Sequence, residues 1–336
     1  MKKIRIACIG TNQYSHGWAI LASIKKQTQL FDLVGYVMPE NEKEKIPDVH
    51  GLLTDLPELT LEEVLADPSI EAVAIETDEI YLTRYAQMAA EHHKHIHMEK
   101  PGGISLAEFS LLIDTVRRNS LVFHMGYMYR YHPQVQDILK RVRAGEFGDI
   151  ISVEAQMNCY HPQKTRQWLS GFPGGMMFYL GCHLMDLVMQ IQGLPLSVHP
   201  FLCCTETEGV SARDFGMGIL QYPRGYSLIK ASAVEIGGYA RRQLVVSGTK
   251  GTVEIKPLEM PVIDEKLSAT VTEYRNPQDW CDRGFVTHGL PFDRYDSMMA
   301  SFAAMVRGEK ENPWNYDYEL NLYKNMMRLC GGNEDE

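Results

Sequence analysis

The sequence predicts an α/β domain with a parallel sheet, followed by an α+β domain with a largely antiparallel open sheet. Three observations predict it. The first third alternates short β-rich runs with amphipathic helical stretches, the pattern that right-handed crossovers build. Between residues 150 and 255 most segments are strands in direct succession, which form antiparallel sheets. A chain of 336 residues is also long enough for about two domains.

In order, residues 4–9 read as a first strand, and the turn 10–17 feeds a helix through Trp18, Ile20, Leu21 and Ile24. Residues 31–37 are a second strand. Thr60 and Glu63 have capping-box spacing, in which each side chain satisfies the other's backbone N–H, so a helix opens there. A short buried strand at 72–75, a helix at 82–91 and a strand at 95–98 follow. Ser105 and Glu108 repeat the capping-box spacing ahead of a helix running to Arg118, and 121–125 closes a first domain assigned to 1–122. The second, 123–336, holds helices at 135–144 and 176–190 and strands at 151–157, 215–221, 227–234, 243–247 and 252–255. Gly248-Thr249-Lys250-Gly251 is a hairpin signal. Helical spacing returns over 293–330, and these last helices are expected to pack back on the first domain.

Composition excludes several classes. The 33 basic and 43 acidic residues leave a net charge of -10, which opposes attraction to nucleic-acid phosphates or anionic lipid. No apolar run reaches the roughly 18 residues that span a bilayer. Met1-Lys2-Lys3 imitates the start of a signal peptide, but Arg5 interrupts the following apolar run, which therefore reads as a strand. Seven cysteines with no Cys-x-x-Cys pair argue against a disulfide framework or zinc knuckle and point to the cytoplasm. The histidine tract 92–97 lacks spaced cysteine or carboxylate ligands, so no metal is expected.

The chemistry-bearing motifs lie at element ends. Gly10, Thr11 and Asn12 join the first strand to a helix start, where backbone N–H groups can hold a pyrophosphate, although Asn12 stands where the second glycine of G-x-G-x-x-G belongs. Glu40, after the second strand, is the candidate acid for a ribose. No arginine follows closely to receive a 2′-phosphate, so NAD is preferred and NADP not excluded. Glu99-Lys100-Pro101 ends a strand, which aims Lys100 at the crevice where open α/β sheets bind ligands, at its edge and not in a core. There its ammonium can hydrogen-bond a hydroxyl or a nascent carbonyl oxygen. In the second domain Tyr179, His183 and Asp186 share a helical stripe, and an imidazole titrating near neutrality is a natural acceptor for an alcohol proton. Tyr160, Trp168 and Arg166 could stack on and hydrogen-bond a sugar; buried packing is the equal alternative for the two aromatics.

The order of these motifs resembles the Gfo/Idh/MocA oxidoreductase family. The resemblance runs through the Gly10 turn, residues 94–101, the segment Gly126 to Pro133 with Arg130, Gly145 to Gly148, the Gly181-x-His183-x-x-Asp186 helix and the Gly248 to Thr252 turn. It implies an amino-terminal Rossmann domain for NAD(P), with Gly10, Thr11, Asn12, Glu40, Thr77, Glu99 and Lys100 at the cofactor. It also implies a second domain that binds a sugar or cyclitol and forms a homo-oligomer through its sheet. Lys100 is then the group touching substrate and nicotinamide, His183 the acid/base, and Arg130, Tyr160, Trp168 and Asp186 line the substrate. This chain has Tyr179 where the family commonly has aspartate, and Glu76-Thr77-Asp78-Glu79 where it has Ala-Thr-Pro-Asn. Three acids there would repel a diphosphate unless they face solvent or grip ribose hydroxyls. The reading is an NAD-dependent dehydrogenase; a glycosidase using transient oxidation and a non-catalytic sugar or dinucleotide sensor are the alternatives.

Overall fold

The computed structural model describes residues 2–332 except 13, 15, 47, 49, 50 and 265. In chain order the elements are β1 (Ile4–Ile9), α1 (Gly17–Lys26), β2 (Phe31–Val37), α2 (Glu42–Lys45), α3 (Leu61–Ala66), β3 (Ala72–Ile75), α4 (Leu82–Glu91), β4 (His95–Met98), α5 (Leu106–Arg118) and β5 (Phe123–Met125). Then come α6 (Pro133–Arg143), β6 (Ile150–Asn158), α7 (Gln163–Leu169), α8 (Cys182–Gln192), β7 (Ser197–Cys203), β8 (Phe215–Tyr222), β9 (Gly225–Ser232), β10 (Gln243–Gly248) and β11 (Gly251–Ile255). The chain ends with β12 (Met260–Pro261), β13 (Leu267–Ser268), β14 (Thr270–Tyr274), β15 (Phe285–His288), α9 (Asp296–Val306) and α10 (Tyr316–Leu329). It divides into two compact units: Met1–Met128 with Tyr295–Tyr323, and Tyr129–Arg294 with Lys324–Asp335.

The first unit is built on a five-stranded parallel sheet of order β2-β1-β3-β4-β5. Its inner strands read as continuous apolar runs because both faces are covered by helices, and all of β3 is buried. The chain reverses its direction of travel across the sheet between β1 and β3, which places a crevice at their carboxyl ends. The capping box opening α3 is present, Thr60 N–H donating to Glu63 Oε2 at 2.7 Å and Glu63 N–H to Thr60 Oγ1 at 3.1 Å. At α5 Ser105 accepts the Glu108 N–H. Late in the chain, Tyr323 stacks on Phe109 at 4.2 Å and donates its hydroxyl to Gly103 O at 2.9 Å.

The second unit carries an eight-stranded sheet of order β15-β14-β11-β10-β6-β9-β8-β7. Every neighbouring pair is antiparallel except β6 with β9. Helix α8 is buried from Cys182 through Met189, all round its circumference, as a helix apolar on every side must be. Strands β7 and β15, absent from the sequence reading, are the two edges of this sheet, and β15 is exposed at every residue. An edge strand packs little core, so it lacks the alternation that betrays an inner one. Among the described residues no helix is long and apolar enough to cross a membrane.

Candidate functional site

At the carboxyl edge of the parallel sheet, β1 runs into Gly10, whose φ is +81°; a Cβ there would lie 2.6 Å from Thr77 Cα. Only glycine lets these two strand ends approach so closely. Asn12 donates its N–H to Glu76 O at 2.8 Å and its Nδ2 to Glu79 Oε2 at 2.6 Å. Thr11 N–H donates to Glu42 Oε2 at 3.0 Å, and Thr77 Oγ1 to Glu42 Oε1 at 2.6 Å. Gly10, Thr11, Asn12 and Thr77 are thus brought together, and Glu42 joins them. Burial pushes the Glu42 carboxyl up from its ordinary value, against the pull of the Thr77 and Thr11 hydrogen bonds.

Glu42, which the sequence reading did not single out, is the acid brought against Thr11 and Thr77. Glu40 accepts the Tyr85 hydroxyl at 2.7 Å and pairs with Arg84, which together hold its carboxyl below the usual range. Glu40 and Asn41 both adopt positive φ, and Glu42 N–H returns to Pro39 O at 3.0 Å, so the chain reverses and turns Glu42 inward. The one cue in the sequence was Asn41, a residue tolerant of the left-handed region. Arg84 was also missed: no arginine lies close after β2 in sequence, but α4 delivers one.

Lys100 corrects an expectation. Instead of standing at the edge outside a core it is fully buried, with Nζ 3.5 Å from Glu99 Oε1. Burial opposes the charge of Glu99, but Lys100 and His16, whose Nδ1 is 3.6 Å from Glu99 Oε2, outweigh it and hold the carboxyl below its ordinary value. Glu76 and Glu79 behave the other way. Burial, then the charges of Glu99 and Glu79, push Glu76 well up. Glu79 is pushed up to about 8, by burial first, with Lys100 opposing and Asp78 and Glu99 adding. Of the three acids of residues 76–79, Glu76 and Glu79 therefore do not face solvent, and burial works against a charge on either. Behind them His97, lowered to about 4 by burial, shares a hydrogen with His124, Nδ1 to Nδ1 at 2.7 Å.

A dinucleotide fits this edge. Gly10 ends β1 at the start of the turn into helix α1, and buried oxygens of Glu76, Glu79 and Glu99 lack hydrogen-bond donors among the described residues. Gly10, Thr11, Asn12, Glu42, Thr77, Glu79, Glu99 and Lys100 are the residues that would hold it.

In the second unit, His183 sits on the first turn of α8, 1% exposed, with the Tyr129 ring edge-on at 5.4 Å. One turn further along, Asp186 takes a two-pronged pair from Arg130, Nε to both oxygens at 3.1 Å and Nη2 to Oδ1 at 2.9 Å, each residue 1% exposed. Their charged groups serve one another, and this placement supports a role in holding α8. Arg130→Ala leaves Asp186 buried without its partner and is expected to cost about 3–5 kcal/mol of stability, read by denaturant unfolding. An unchanged unfolding midpoint would refute that role.

Tyr179 lies in a π-helical turn, Met177–Gly181, just ahead of α8. Its ring meets Trp168 at 5.2 Å and 88° and His161 at 6.0 Å, while Arg166, fully buried, is spent on Thr207 O, His161 O, Asp214 and Glu208. Tyr160 is half exposed beside it, with the Arg166 guanidinium 5.9 Å from its ring. Helix α7, which carries Arg166 and Trp168, and His161 went unread in the sequence.

Comparison with known proteins bears on both units. Residues 4–127 match a family described as oxidoreductase, NAD-binding Rossmann fold, and residues 135–254 match the GFO/IDH/MocA C-terminal domain. An uncharacterised oxidoreductase of Rhizobium meliloti is 25% identical over 78% of this chain and 78% of its own length. The scyllo-inositol 2-dehydrogenase (NADP+) of Bacillus subtilis is 26% identical over 41% of this chain and 39% of its own. A 3-ketoreductase of Actinomadura kijaniata, solved with NADP and TDP-benzene, has the same fold, with a TM-score of 0.80 at 14% identity over 98% of each chain.

Proposed function

Because the chain belongs to the GFO/IDH/MocA oxidoreductase family, with an NAD(P)-binding Rossmann domain, we propose that it moves a hydride between a hydroxyl-bearing carbon of a sugar, sugar derivative or cyclitol and the nicotinamide. NAD(P) supplies the redox chemistry, and the chain supplies binding, orientation and the proton path. Lys100 polarises the reacting oxygen with its ammonium. His183 takes the hydroxyl proton in the oxidative direction and returns it in the reductive one. Glu42 accepts ribose hydroxyls in the part that the sequence assigned to Glu40. Trp168 and Tyr160 offer aromatic faces to the sugar ring.

The observation that carries this reading is Lys100: a fully buried ammonium at the carboxyl end of a parallel strand, compensated by the carboxylate that precedes it. A lysine kept out of water at such cost has a task that a surface lysine lacks. The test is absorbance of reduced nicotinamide on mixing the protein with NAD or NADP and a panel of sugars, inositols and sugar acids. Turnover of at least one polyol is expected, and none with either cofactor would overturn the proposal.

Tyr179 is assigned to shaping the site. Tyr179→Phe keeps the ring against Trp168 and His161 and is expected to cost less than about tenfold in kcat/KM; a loss near a thousandfold would make it a proton carrier. The sheet of the second unit is proposed as the homo-oligomer face. Phe201, Met217, Ile219 and Leu228 leave its outer side partly apolar and accessible, which supports burial against a second copy.

A further inference from the structure

The carboxyl ends of β1, β3 and β4 hold more acid than a site for an anionic dinucleotide ought to tolerate. Glu76 and Glu99 are 1% exposed and Glu79 is 0% exposed. Both side-chain oxygens of Glu76, Oε1 of Glu79 and Oε1 of Glu99 lack a hydrogen-bond partner among the described residues. His97 Nε2, itself fully buried and without such a partner, lies 3.3 Å from Glu76 Oε1. Carboxyl groups buried with idle oxygens are expensive, and the expense falls steeply when the group is neutral or when a donor arrives.

From the neighbouring strand end Lys100 stands against these acids, and Glu99 already pairs with it at 3.5 Å. Around Glu79 stand Asn12 from the β1 turn, Lys100 and Glu99 from the end of β4, and Glu76 and Asp78 from its own segment. His16, at the start of α1, and His97, on β4, face Glu99 and Glu76 in turn. A charge on Glu79 would therefore meet an ion pair that is already complete, two further acids, and the phosphates of the ligand.

Resting on the NAD(P) reading of this edge, we infer that Glu79 admits the dinucleotide only as an uncharged carboxyl group, Oε2 keeping the Asn12 amide while a protonated Oε1 donates to a ligand oxygen, so that binding is gated by one proton on this residue. Asn12 marks the same side chain: its amide donates to Glu79 Oε2 at 2.6 Å, leaving Oε1 for the ligand. Burial places the group's own titration at about 8, within the range where a cell or an assay can move it. The sign follows directly. Below about pH 8 Glu79 is protonated and affinity is flat; above it the uncharged form falls tenfold per pH unit, and the observed dissociation constant rises with it.

The experiment is titration of NADH into the full-length protein, followed by nicotinamide fluorescence and by calorimetry at pH 6.5, 7.5, 8.5 and 9.5. For the unaltered protein the dissociation constant is expected to hold to about pH 8 and then rise roughly tenfold per unit. Calorimetry in buffers of different ionisation enthalpy should show uptake of up to one proton on binding at pH 8.5 and almost none at pH 6.5. Glu79→Gln, whose amide imitates the uncharged acid, should bind with near-constant affinity across the series and take up no proton. The variant's circular dichroism is compared first; if it does not fold, proton uptake by the unaltered protein decides alone. A flat affinity with no proton uptake, or a slope that survives Glu79→Gln, overturns the inference while leaving the dinucleotide site standing. No NADH binding at any pH overturns both.

Discussion

Lys100→Ala should reduce kcat by about three orders of magnitude or more and should also destabilise the fold by about 3 kcal/mol. The first figure is the worth of a charge placed where a transition-state oxygen gains electron density, lost together with the ground-state orientation it provides. The second follows from burial. Removing the ammonium strands Glu99 in a site that is 1% exposed, where a lone carboxylate must either stay charged without a full counter-ion or take up a proton. His16 at 3.6 Å offers only partial compensation. Nicotinamide reduction gives the first measurement and urea unfolding the second. A variant with wild-type unfolding and no turnover would restore the view of Lys100 as an edge residue; wild-type turnover would remove it from the chemistry.

His183→Asn should cost about 10²–10⁴ in kcat, the usual contribution of a positioned general base, and should erase the neutral-pH limb of the rate profile. The substitution keeps a polar group of similar width on α8 and leaves the Arg130–Asp186 pair three residues on untouched, so the unfolding midpoint should move much less than for Arg130→Ala. Rate and pH profile must fall together for the assignment to hold. A lower rate on an unchanged profile would make His183 a positioning residue, its edge-on contact with Tyr129 being the geometry disturbed.

The strands of the first unit were legible because a parallel sheet buried on both faces writes itself as apolar runs between helical periods, and β2, β3, α4 and β4 lie within the very residues that this pattern marks. In the second unit the inner strands β6, β8, β9, β10 and β11 were legible for the related reason that one face is buried. Strands β7 and β15 were not, since edges carry no such signal, and the inner strand β14, only five residues long, was not read either. The short helix α7 lacks the length over which a period can be recognised.

For the site, local order raised Gly10, Lys100 and His183 as candidates, because each stands at the end or start of an element where chemistry is commonly placed, and only the order of the motifs together gave them proposed roles. Which glutamate faces inward after β2 was settled by two left-handed residues reversing the chain, and the arginine beside Glu40 by the packing of α4 onto that edge. The spacing of Tyr179 to His183 was readable, but the π turn that carries Tyr179 was not. The sequence alone determined the class of fold, the succession of strands and helices, and the residue types available for redox work, since these depend on periodicity and on neighbours along the chain. Only the tertiary structure decided which acids are charged, because a carboxyl group's protonation answers to the burial and charges that distant segments bring around it.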